Sequence, residues 1–379
     1  MDYWAYETAG REWVRISTET DSDPAVGLDT VVQVWSPEHT LHAEIDDYPT
    51  GRVDGYDSVL YAYLPYSGIW TITVEDVTSH LGEDAPDKDG SGTDFTYRLR
   101  VEEMSRFTSE DAGVGGGVSL EVVDGDTIYA TGIVIDTPED TDTISVELTA
   151  TSRQPLEVWG LPTLPGTDMT SRIELSRDGE LAAVKDDIGP SGYLSYFMAE
   201  PGSYTVRASD ATGANGGWMV LFIRTYEDGD NHPYFDDSRY LREEEPNDIA
   251  SNANRFEAAE ARVDAGPYLV WTVEGALTEE GDEDLYEIPV LGSENVSVRC
   301  FHDDFGSSAA LSARLLDGLV DLTPEGQGDA IIDNNYYIVD AYAGLAGTYA
   351  VSIADLEGAG GLDRYYRCRI LVAPFSWGL

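Results

Sequence analysis

The amino-acid sequence predicts an all-β protein made of three antiparallel β-sandwich domains in tandem. Three observations lead to this prediction: a phrase of strands and turns that recurs about every 140 residues, short runs in which apolar and polar residues alternate, and clusters of turn-forming residues between those runs. Self-similarity at a fixed period is typical of one structural unit used repeatedly, and not of one large catalytic domain.

The recurring phrase contains an apolar strand, a Gly-x-aromatic step, an alternating strand, an acidic Gly-rich turn and a closing strand. The Gly-x-aromatic step falls at residues 68–70, 202–204 and 347–349, where it reads Gly-Ile-Trp, Gly-Ser-Tyr and Gly-Thr-Tyr. Because the three copies follow one another along the chain, we expect three similar units.

The periodicity is that of strands almost everywhere. Residues 14–18, 31–35, 71–74, 145–148 and 296–299 alternate apolar with polar side chains, as half-buried antiparallel strands do. Clusters of Gly, Pro, Asn and Asp bound these runs, and short strands punctuated by turns in this way are typical of β-sandwiches.

The domain boundaries are predicted where the strand pattern stops and the composition becomes polar and rich in turn-forming residues. Residues 103–117 are polar and Gly-rich, and residues 226–245 show almost no apolar periodicity. We therefore predict domains at residues 1–105, 106–228 and 229–379. The one helical candidate is the stretch 249–261, which is rich in Ala and Glu.

The charge is strongly negative. The chain has 72 Asp and Glu residues against 22 Lys and Arg residues, for a formal net charge of -50, and only Lys88 and Lys185 are lysines. Such a surface repels phosphate backbones and anionic lipid, which excludes nucleic acid and ordinary membrane surfaces as partners. Cations are the expected partners, and the acidity indicates either metal binding or adaptation to a saline, halophilic environment.

The sequence predicts a secreted or cell-surface protein without membrane insertion. No stretch approaches the roughly 20 apolar residues that a transmembrane helix needs, and no segment resembles a signal peptide. Since the chain opens directly on a strand, we expect that residues upstream of Met1 were removed. The two cysteines, Cys300 and Cys368, fit either a disulfide or two buried thiols.

The third unit carries the motifs of a known family. It opens with Glu-Glu-Glu-Pro-Asn-Asp at residues 243–248, continues with Gly-Asp-Glu-Asp-Leu-Tyr at 281–286, and ends with the Gly-x-Tyr step. This resembles the bacterial pre-peptidase C-terminal domain, a jelly-roll-like β-sandwich that is appended to many secreted proteases and is also found in the collagen-binding modules of clostridial collagenases.

The first two units share less of this pattern. Asp2-Tyr3-Trp4 followed by Gly10 is similar to residues 284–286 followed by Gly292, so the first unit resembles the same domain without its first strand. The second unit keeps the Gly-x-Tyr step but lacks both the acidic opening and a clear Asp-x-Tyr motif.

The resemblance implies a Ca²⁺ site in the third unit. In the collagenase modules, the acidic opening and the Asp residues just before the Asp-x-Tyr strand hold calcium, and hard divalent cations prefer such oxygen ligands. Carried onto this chain, the ligands are Glu243, Glu245, Asn247, Asp248, Asp282 and Asp284. The alternative is a solvated linker that is acidic only because the whole chain is. A second acidic stretch, residues 87–94, fits a mobile hairpin turn better than a calcium loop.

No catalytic motif stands out among the residues. His39 and His42 are three residues apart, but in a strand and without the adjacent Glu of a helical zinc motif. His302 precedes two aspartates, yet no serine or cysteine has the context of a nucleophile. The separation of paired carboxylates for glycoside hydrolysis is a three-dimensional quantity that the sequence does not give. We therefore predict a protein that is not an enzyme.

The predicted function is a non-catalytic array for adhesion, spacing or presentation of another domain. One alternative is an accessory region of a secreted hydrolase that binds collagen or a polysaccharide through exposed aromatic rings. The other is an extracellular filament subunit, which self-associates by strand donation into the incomplete first unit. The rings considered for such a surface, which core packing would also explain, are Tyr61, Tyr63, Tyr66, Tyr336, Tyr337 and Tyr342.

Overall fold

The regular elements of the computed structural model are β-strands, which confirms the predicted all-β class. The described residues are 1–20, 29–45, 57–77, 96–104, 117–122, 128–135, 137, 139–148, 154–162, 170–186, 194–213, 217–225, 240–256, 269–301, 306–325 and 336–374.

Within these described ranges, twenty-six strands follow one another: β1 Asp2–Thr8, β2 Glu12–Thr20, β3 Thr30–Trp35, β4 Leu41–Ile45, β5 Val59–Leu64, β6 Gly68–Asp76, β7 Tyr97–Glu103, β8 Gly117–Val122, β9 Ile128–Ile135, β10 Thr141–Leu148, β11 Gln154–Pro162, β12 Ser171–Arg177, β13 Glu180–Asp186, β14 Leu194–Ala199, β15 Gly202–Asp210, β16 Gly217–Thr225, β17 Tyr240–Arg242, β18 Asn254–Arg255, β19 Leu269–Ala276, β20 Glu283–Val290, β21 Glu294–Phe301, β22 Leu311–Asp317, β23 Val320–Asp321, β24 Tyr336–Ala343, β25 Gly347–Asp355 and β26 Tyr365–Pro374.

These strands form six sheets, two from each consecutive part of the chain. The first pair has the orders β1-β6-β3-β4 and β5-β2-β7. The second pair is β13-β12-β15-β10-β8 and β14-β11-β16-β9, and the third is β18-β20-β25-β22-β23 and β17-β19-β26-β21-β24. We call the pairs the first, second and third sandwich.

One strand order recurs in the three sandwiches. Strands β13-β12-β15-β10-β8 of the second sandwich match β23-β22-β25-β20-β18 of the third, and β14-β11-β16-β9 matches β24-β21-β26-β19. In the first sandwich β4-β3-β6-β1 and β5-β2-β7 follow the same orders but stop earlier on one side. The repeat in the sequence therefore corresponds to a strand order that recurs in each sandwich.

Three strand pairs depart from the predicted antiparallel pattern. Strand β8 pairs in parallel with β10, β17 with β19, and β18 with β20. All three involve a strand at the edge of its sheet, reached by a connection longer than a hairpin turn, which is the connection that parallel pairing requires.

Apolar side chains of both sheets meet inside each sandwich. Trp70 lies in the core of the first sandwich, Phe222 in that of the second and Trp271 in that of the third, each at most 1% exposed. The core of the second sandwich also includes Trp13 from the first and Tyr365 from the third. Consecutive sandwiches therefore share buried apolar contacts.

The helix predicted at residues 249–261 is wrong over its described part, 249–256. The backbone N–H of Asn252 donates to the carbonyl oxygen of Ile249 at 2.8 Å in a turn, and β18 follows. The Asn254 side chain donates to the Glu244 carbonyl oxygen at 2.9 Å and accepts from the Glu244 N–H at 3.0 Å. Such bonds between side chain and backbone compete with helix formation.

Cys300 and Cys368 form a disulfide between directly paired positions of β21 and β26, which resolves the two alternatives left open by the sequence. The predicted domain boundaries near residues 105 and 228 fall where the described ranges are interrupted, so they stay predictions. Within the described part of the chain, no helix has the length and apolarity to span a membrane.

Candidate metal centre

The six residues predicted to bind a cation lie close together at one end of the third sandwich. Residues 243–248 follow β17 directly, Asp282 ends the loop between β19 and β20, and Asp284 is the second residue of β20. Strands β17 and β20 belong to facing sheets, so the centre lies where the two sheets of this sandwich meet.

Five carboxylates form two overlapping groups. The ligating oxygens of Glu243, Glu245 and Asp284 lie within 4.8 Å of one another, and so do those of Glu245, Asp248 and Asp282. Ligands on opposite sides of a Ca²⁺ ion are separated by about 4.8 Å, twice a Ca–O distance of about 2.4 Å. Each group therefore has the dimensions of one cation site, and Glu245 belongs to both.

Glu243 is held in place by strand pairing. Its N–H donates to the carbonyl oxygen of Glu274 at 3.0 Å, which continues the parallel ladder between β17 and β19. Its Oε1 atom accepts the N–H of Ala276 at 2.7 Å, while Oε2 is buried and receives no hydrogen bond. One oxygen of this carboxylate is thus anchored, and the other is available to a cation.

Asp284 is fully buried and is supported by tyrosines. Its Oδ2 atom accepts a hydrogen bond from the hydroxyl of Tyr366, which lies 2.6 Å from the hydroxyl oxygen of Tyr286, while Oδ1 has no hydrogen-bond donor. Burial, and then the nearby charges of Asp284 and of other carboxylates, raises the pKa of both tyrosines well above 10. They remain neutral, so Tyr366 can donate at all ordinary pH values.

Asn247 contributes a buried amide beside the carboxylates. Its side chain is 0% exposed, its backbone N–H donates to Glu245 Oε2 at 3.0 Å, and its Nδ2 donates to Asn254 at 3.4 Å. The Oδ1 atom receives no hydrogen bond. Because a buried oxygen without a donor is costly, a cation at this place would restore its missing interaction.

Asp282 closes the loop before β20. Its Oδ2 atom accepts the N–H of Thr278 at 2.6 Å, which fixes the carboxylate next to Glu245 and Asp248. Glu245 and Asp248 are themselves exposed, so the second group of carboxylates faces solvent and the first faces the interior.

Burial, and after it the concentration of negative charge, raises the pKa values of the acids in this centre. Burial, and next the charge of Asp284, raises the pKa of Glu243 to about 10. Burial raises the pKa of Asp284 to about 7, against the opposing effect of the Tyr366 hydrogen bond. Partial burial also raises the pKa of Glu245. At neutral pH the unliganded centre therefore favours protons on its inner carboxyls, and a cation would replace them.

No arginine, lysine or histidine neutralises these five carboxylates among the residues that the structure describes. The ion pairs of the third sandwich lie elsewhere; for example, Arg364 binds Asp355 at 2.9 Å, and Arg367 binds Glu274. Buried carboxylates are ordinarily paired or coordinate a metal. The donor set therefore fits a hard divalent cation.

Sequence reasoning missed the residues that support this centre. A Cβ atom at Gly275 would overlap Glu243 Oε2 and the hydroxyl of Tyr366, so only glycine allows β19 to pass here. Tyr366 was assigned no role because a tyrosine in an apolar strand is usually a core residue. Its contact with Asp284 depends on β20 and β26 lying in facing sheets, and no local motif reveals that arrangement.

The structure also shows that the aspartate of the Asp-x-aromatic motif occurs in all three sandwiches. Asp284 lies four residues before Ile288, which pairs with Tyr349 of the Gly-x-aromatic step. Asp142 lies four residues before the residue that pairs with Tyr204, and Asp2 precedes Tyr6, which pairs with Trp70, in the same way. The second unit was expected to lack this motif, because residue 144 is isoleucine instead of an aromatic.

Of the other candidate sites, the structure describes the histidine pair His39 and His42. His39 is exposed at a turn, whereas His42 is buried with Nε2 at 2.7 Å from the carbonyl oxygen of Tyr63 and its ring stacked on Trp218. Among the described residues, no cluster of metal-ligating side chains includes either histidine. The acidic stretch 87–94 and the sequence His302-Asp303-Asp304 lie outside the described residues.

The aromatic rings are divided between packing and exposure. Tyr63 is buried, and the ring of Tyr61 lies 5.5 Å from that of Phe222 in the second sandwich. Tyr66 and Tyr342 are 68% and 50% exposed, but they belong to different sandwiches. Nothing is described of the side chains of Tyr336 and Tyr337. The two rings that are exposed among the six considered therefore do not share one surface of a sandwich.

Comparison with known proteins finds distant structural similarity only. No family model matches the chain, and no curated protein does either. Among solved structures, the pre-peptidase C-terminal domain of a Bacillus anthracis collagenase is similar at 11% identity, with a TM-score of 0.20, over 29% of this chain and 94% of that one.

Two further solved structures are similar at the same level. PliG from Aeromonas hydrophila, a periplasmic inhibitor of g-type lysozyme, matches at 14% identity and a TM-score of 0.20 over 29% of this chain and 99% of its own. The N-terminal CBM22-1-CBM22-2 tandem domain of Xyn10C from Paenibacillus barcinonensis matches at 10% identity and a TM-score of 0.22, over 66% of this chain and 93% of that one. Similarity at these TM-scores carries no argument about function.

Proposed function

We propose that this protein is a non-catalytic array of β-sandwiches, secreted or held at the cell surface, whose third sandwich is stabilised by Ca²⁺. The observation that carries the proposal is the acidic centre. Its five carboxylates form two groups, each with the dimensions of one cation site, and none of the five forms an ion pair with a described residue. Two buried oxygens that receive no hydrogen bond, Asn247 Oδ1 and Asp284 Oδ1, support it.

The chemistry of the ligands favours calcium over other metals. All six candidate ligands offer oxygen, which hard cations prefer, and neither cysteine nor histidine takes part. Mg²⁺ has an octahedral shell of six ligands and usually keeps several waters among them, so it needs few oxygens from a protein. The two groups together supply more oxygens than that.

Two features support an extracellular location. The disulfide between Cys300 and Cys368 is of a kind that persists in oxidising compartments, which also contain abundant calcium. The net charge of -50 suits a saline exterior, where ions screen repulsion between surface carboxylates.

The array would act through its shape and surface. Apolar contacts shared between consecutive sandwiches favour a stiff spacer that holds a partner or another domain at a fixed distance. A polymeric protein or a polysaccharide is the class of partner we propose. Since Tyr66 and Tyr342, the exposed rings among those considered, belong to different sandwiches, spacing and adhesion are favoured over the accessory region of a hydrolase.

The calcium centre is tested by thermal unfolding with calcium and with chelator at matched ionic strength. Occupancy at a hundred to a thousand times the dissociation constant should add about 3 to 4 kcal/mol to the free energy of unfolding, which monovalent salt would not reproduce. Asp284→Asn should abolish this gain. Asp317→Asn removes one exposed charge of the same sandwich outside the centre and should leave the gain intact. Equal stability with calcium and chelator would refute the proposed site.

A further inference from the structure

Residues 295–297 have the sequence Asn-Val-Ser, the pattern at which secreted proteins accept N-linked sugars. The pattern consists of the asparagine that is modified and a serine or threonine two residues later, with a residue other than proline between them. No other asparagine of this chain has serine or threonine at that position. Since so short a pattern also occurs by chance, the place of Asn295 in the fold must show whether its amide is accessible.

Asn295 is the second residue of β21 and faces away from the core of the third sandwich. Its neighbour Val296 is buried in that core, and successive side chains of a strand point to opposite faces. Ser297 therefore shares the outer face of the sheet with Asn295. The turn just before β21 is exposed: Leu291 is 81% exposed, and its N–H donates to the Glu294 carboxylate at 2.6 Å. A sugar on Asn295 would extend from this end of the sandwich into solvent.

The side-chain amide of Asn295 has no hydrogen bond to lose. Asn295 is partly exposed, and within the described part of the chain its side chain forms no hydrogen bond. The other described asparagines do form such bonds: Asn247 and Asn254 bond to each other at 3.4 Å, and Asn252 accepts from the Ser251 hydroxyl at 3.2 Å. Attaching a sugar to Asn295 would therefore break no hydrogen bond of the folded protein.

A sugar at this position would lie far from the contact between the second and third sandwiches. Asn295 pairs with Ala373 near the end of β26, whereas Tyr365, the first residue of that strand, belongs to the core of the second sandwich. Eight residues of strand, at about 3.3 Å each, separate the two positions by roughly 26 Å. The acidic centre lies at the Tyr365 end as well, because Tyr366 bonds to Asp284. Modification of Asn295 would leave both features intact.

A tyrosine lies directly opposite Asn295 on the outer face of the sheet. Tyr342 of β24 pairs with Asn295 and is 50% exposed. The Cβ atoms of directly paired residues on one face are about 4.5–5.5 Å apart. The first sugar on Asn295 would therefore lie within reach of the Tyr342 ring, whose apolar face can cover the C–H groups of a pyranose while its hydroxyl stays in water.

We propose that Asn295 is a glycosylation site and that its first sugar packs on Tyr342. The donor is a sugar carried on a lipid phosphate or pyrophosphate. The Nδ2 atom of Asn295 forms a bond with C1 of the sugar while the bond from C1 to the phosphate oxygen breaks. The lipid phosphate leaves with the electron pair, and the amide proton passes to a base of the transferase. This inference rests on the extracellular location in the proposed function and not on the calcium centre.

The test uses protein isolated from the medium or the surface of the cells that produce it. After tryptic digestion, fragmentation in the mass spectrometer should place the mass of the attached sugars on residue 295. Asn295→Gln and Ser297→Ala should both lose this mass entirely, whereas Ser297→Thr, which preserves the pattern, should retain it. Asn252→Gln is the matched control, since it removes an exposed asparagine of the same sandwich that lacks the pattern, and it should retain the sugar.

The contact with Tyr342 is tested by nitration with tetranitromethane. Tyr342 should react several-fold faster in Asn295→Gln than in the glycosylated protein, whereas Tyr66, an exposed tyrosine of the first sandwich, should react equally in both. Equal rates at Tyr342 would overturn the packing contact. An unmodified Asn295 in protein that has reached the cell exterior would overturn the glycosylation site and leave the proposed location standing, whereas protein retained inside the cell would overturn both.

Discussion

At the scale of single residues, a cation in the acidic centre would compete with protons for the same oxygens. Glu243 has one anchored oxygen and one buried oxygen without a donor, and Asp284 has the same asymmetry. Only Gly275, which lacks a Cβ atom, allows the carboxylate of Glu243 and the hydroxyl of Tyr366 to occupy this space together. The stability of the third sandwich should therefore depend on pH without metal, and much less with it.

We predict that the metal-free protein loses stability as the pH rises. In the unfolded chain, Glu243 and Asp284 ionise near 4.5 and 3.8, but in the folded chain near 10 and 7, so the folded state binds more protons between these values. Stability is then present at low pH and is lost as the pH passes through about 7 towards about 10. Bound calcium keeps both carboxylates ionised and should remove this loss.

The measurement is the unfolding midpoint in chelator and in excess calcium between about pH 7 and about pH 9, where ordinary carboxyls are already ionised. The midpoint should fall with pH in chelator only. Asp284→Asn removes the charge that, after burial, raises the pKa of Glu243, and should make the fall in chelator shallower, whereas Asp317→Asn should not alter it. Parallel pH profiles in chelator and in calcium would contradict the prediction.

At the scale of strands and sheets, local pattern predicted much of the fold. Alternation identified runs such as 14–18 and 71–74, which lie within β2 and β6, because side chains on a strand point to opposite faces with a period of two. The acidic opening predicted four of the candidate ligands, since these lie within residues 243–248. The sequence did not predict that Asp142 corresponds to Asp284, because that correspondence follows from its position in the pairing of β10 with β15. The sequence contains an isoleucine where the motif has an aromatic residue.

The parallel pairs and the disulfide could not be derived in the same way. Whether β17 lies beside β19, or Cys300 opposite Cys368, depends on long-range register, and a shift of one residue exchanges the two faces of a strand. Sequence spacing does not fix that register. The disulfide thus remained one of two alternatives until the pairing of β21 with β26 was known.

We predict that the disulfide contributes about 3 to 4 kcal/mol to the stability of the third sandwich, because it closes a loop of 68 residues in the unfolded chain. Replacing Cys300 and Cys368 together with alanine should lower the free energy of unfolding of this sandwich, obtained from the denaturant midpoint and slope, by that amount. Comparing both proteins in excess calcium keeps the metal centre constant. A midpoint unchanged by the double substitution would show that the crosslink adds nothing to the strand pairing.

At the scale of the whole molecule, the three sandwiches are joined by buried side chains and not only by the chain itself. The ring of Tyr196 in the second sandwich lies 5.1 Å from that of Tyr365, and the N–H of Val184 donates to the carbonyl oxygen of Gly306 at 2.9 Å. On the other side, Trp13 packs into the second core. These contacts were not predictable, since a tryptophan at the start of a strand looks like a residue of its own core.

We predict that Gly132→Ala separates the first sandwich from the second, because a Cβ atom on β9 would overlap the indole ring of Trp13 and push the facing strand β2 away. Small-angle scattering should show a larger radius of gyration, and a protease should cleave between the two sandwiches.

Adding Trp13→Ala empties the space that the new methyl group needs, so the double variant should lose the steric clash, although the lost ring costs about 3 kcal/mol of packing. Gly160→Ala on β11 of the same sheet is the matched control, since its Cβ would meet only the flexible end of Met219 and two aliphatic side chains inside the second core. If the Gly132 and Gly160 variants scatter alike, the contact at Trp13 does not set the angle between the sandwiches, and the stiff spacer we propose would have to be held by Tyr61, His42 and Trp218 instead.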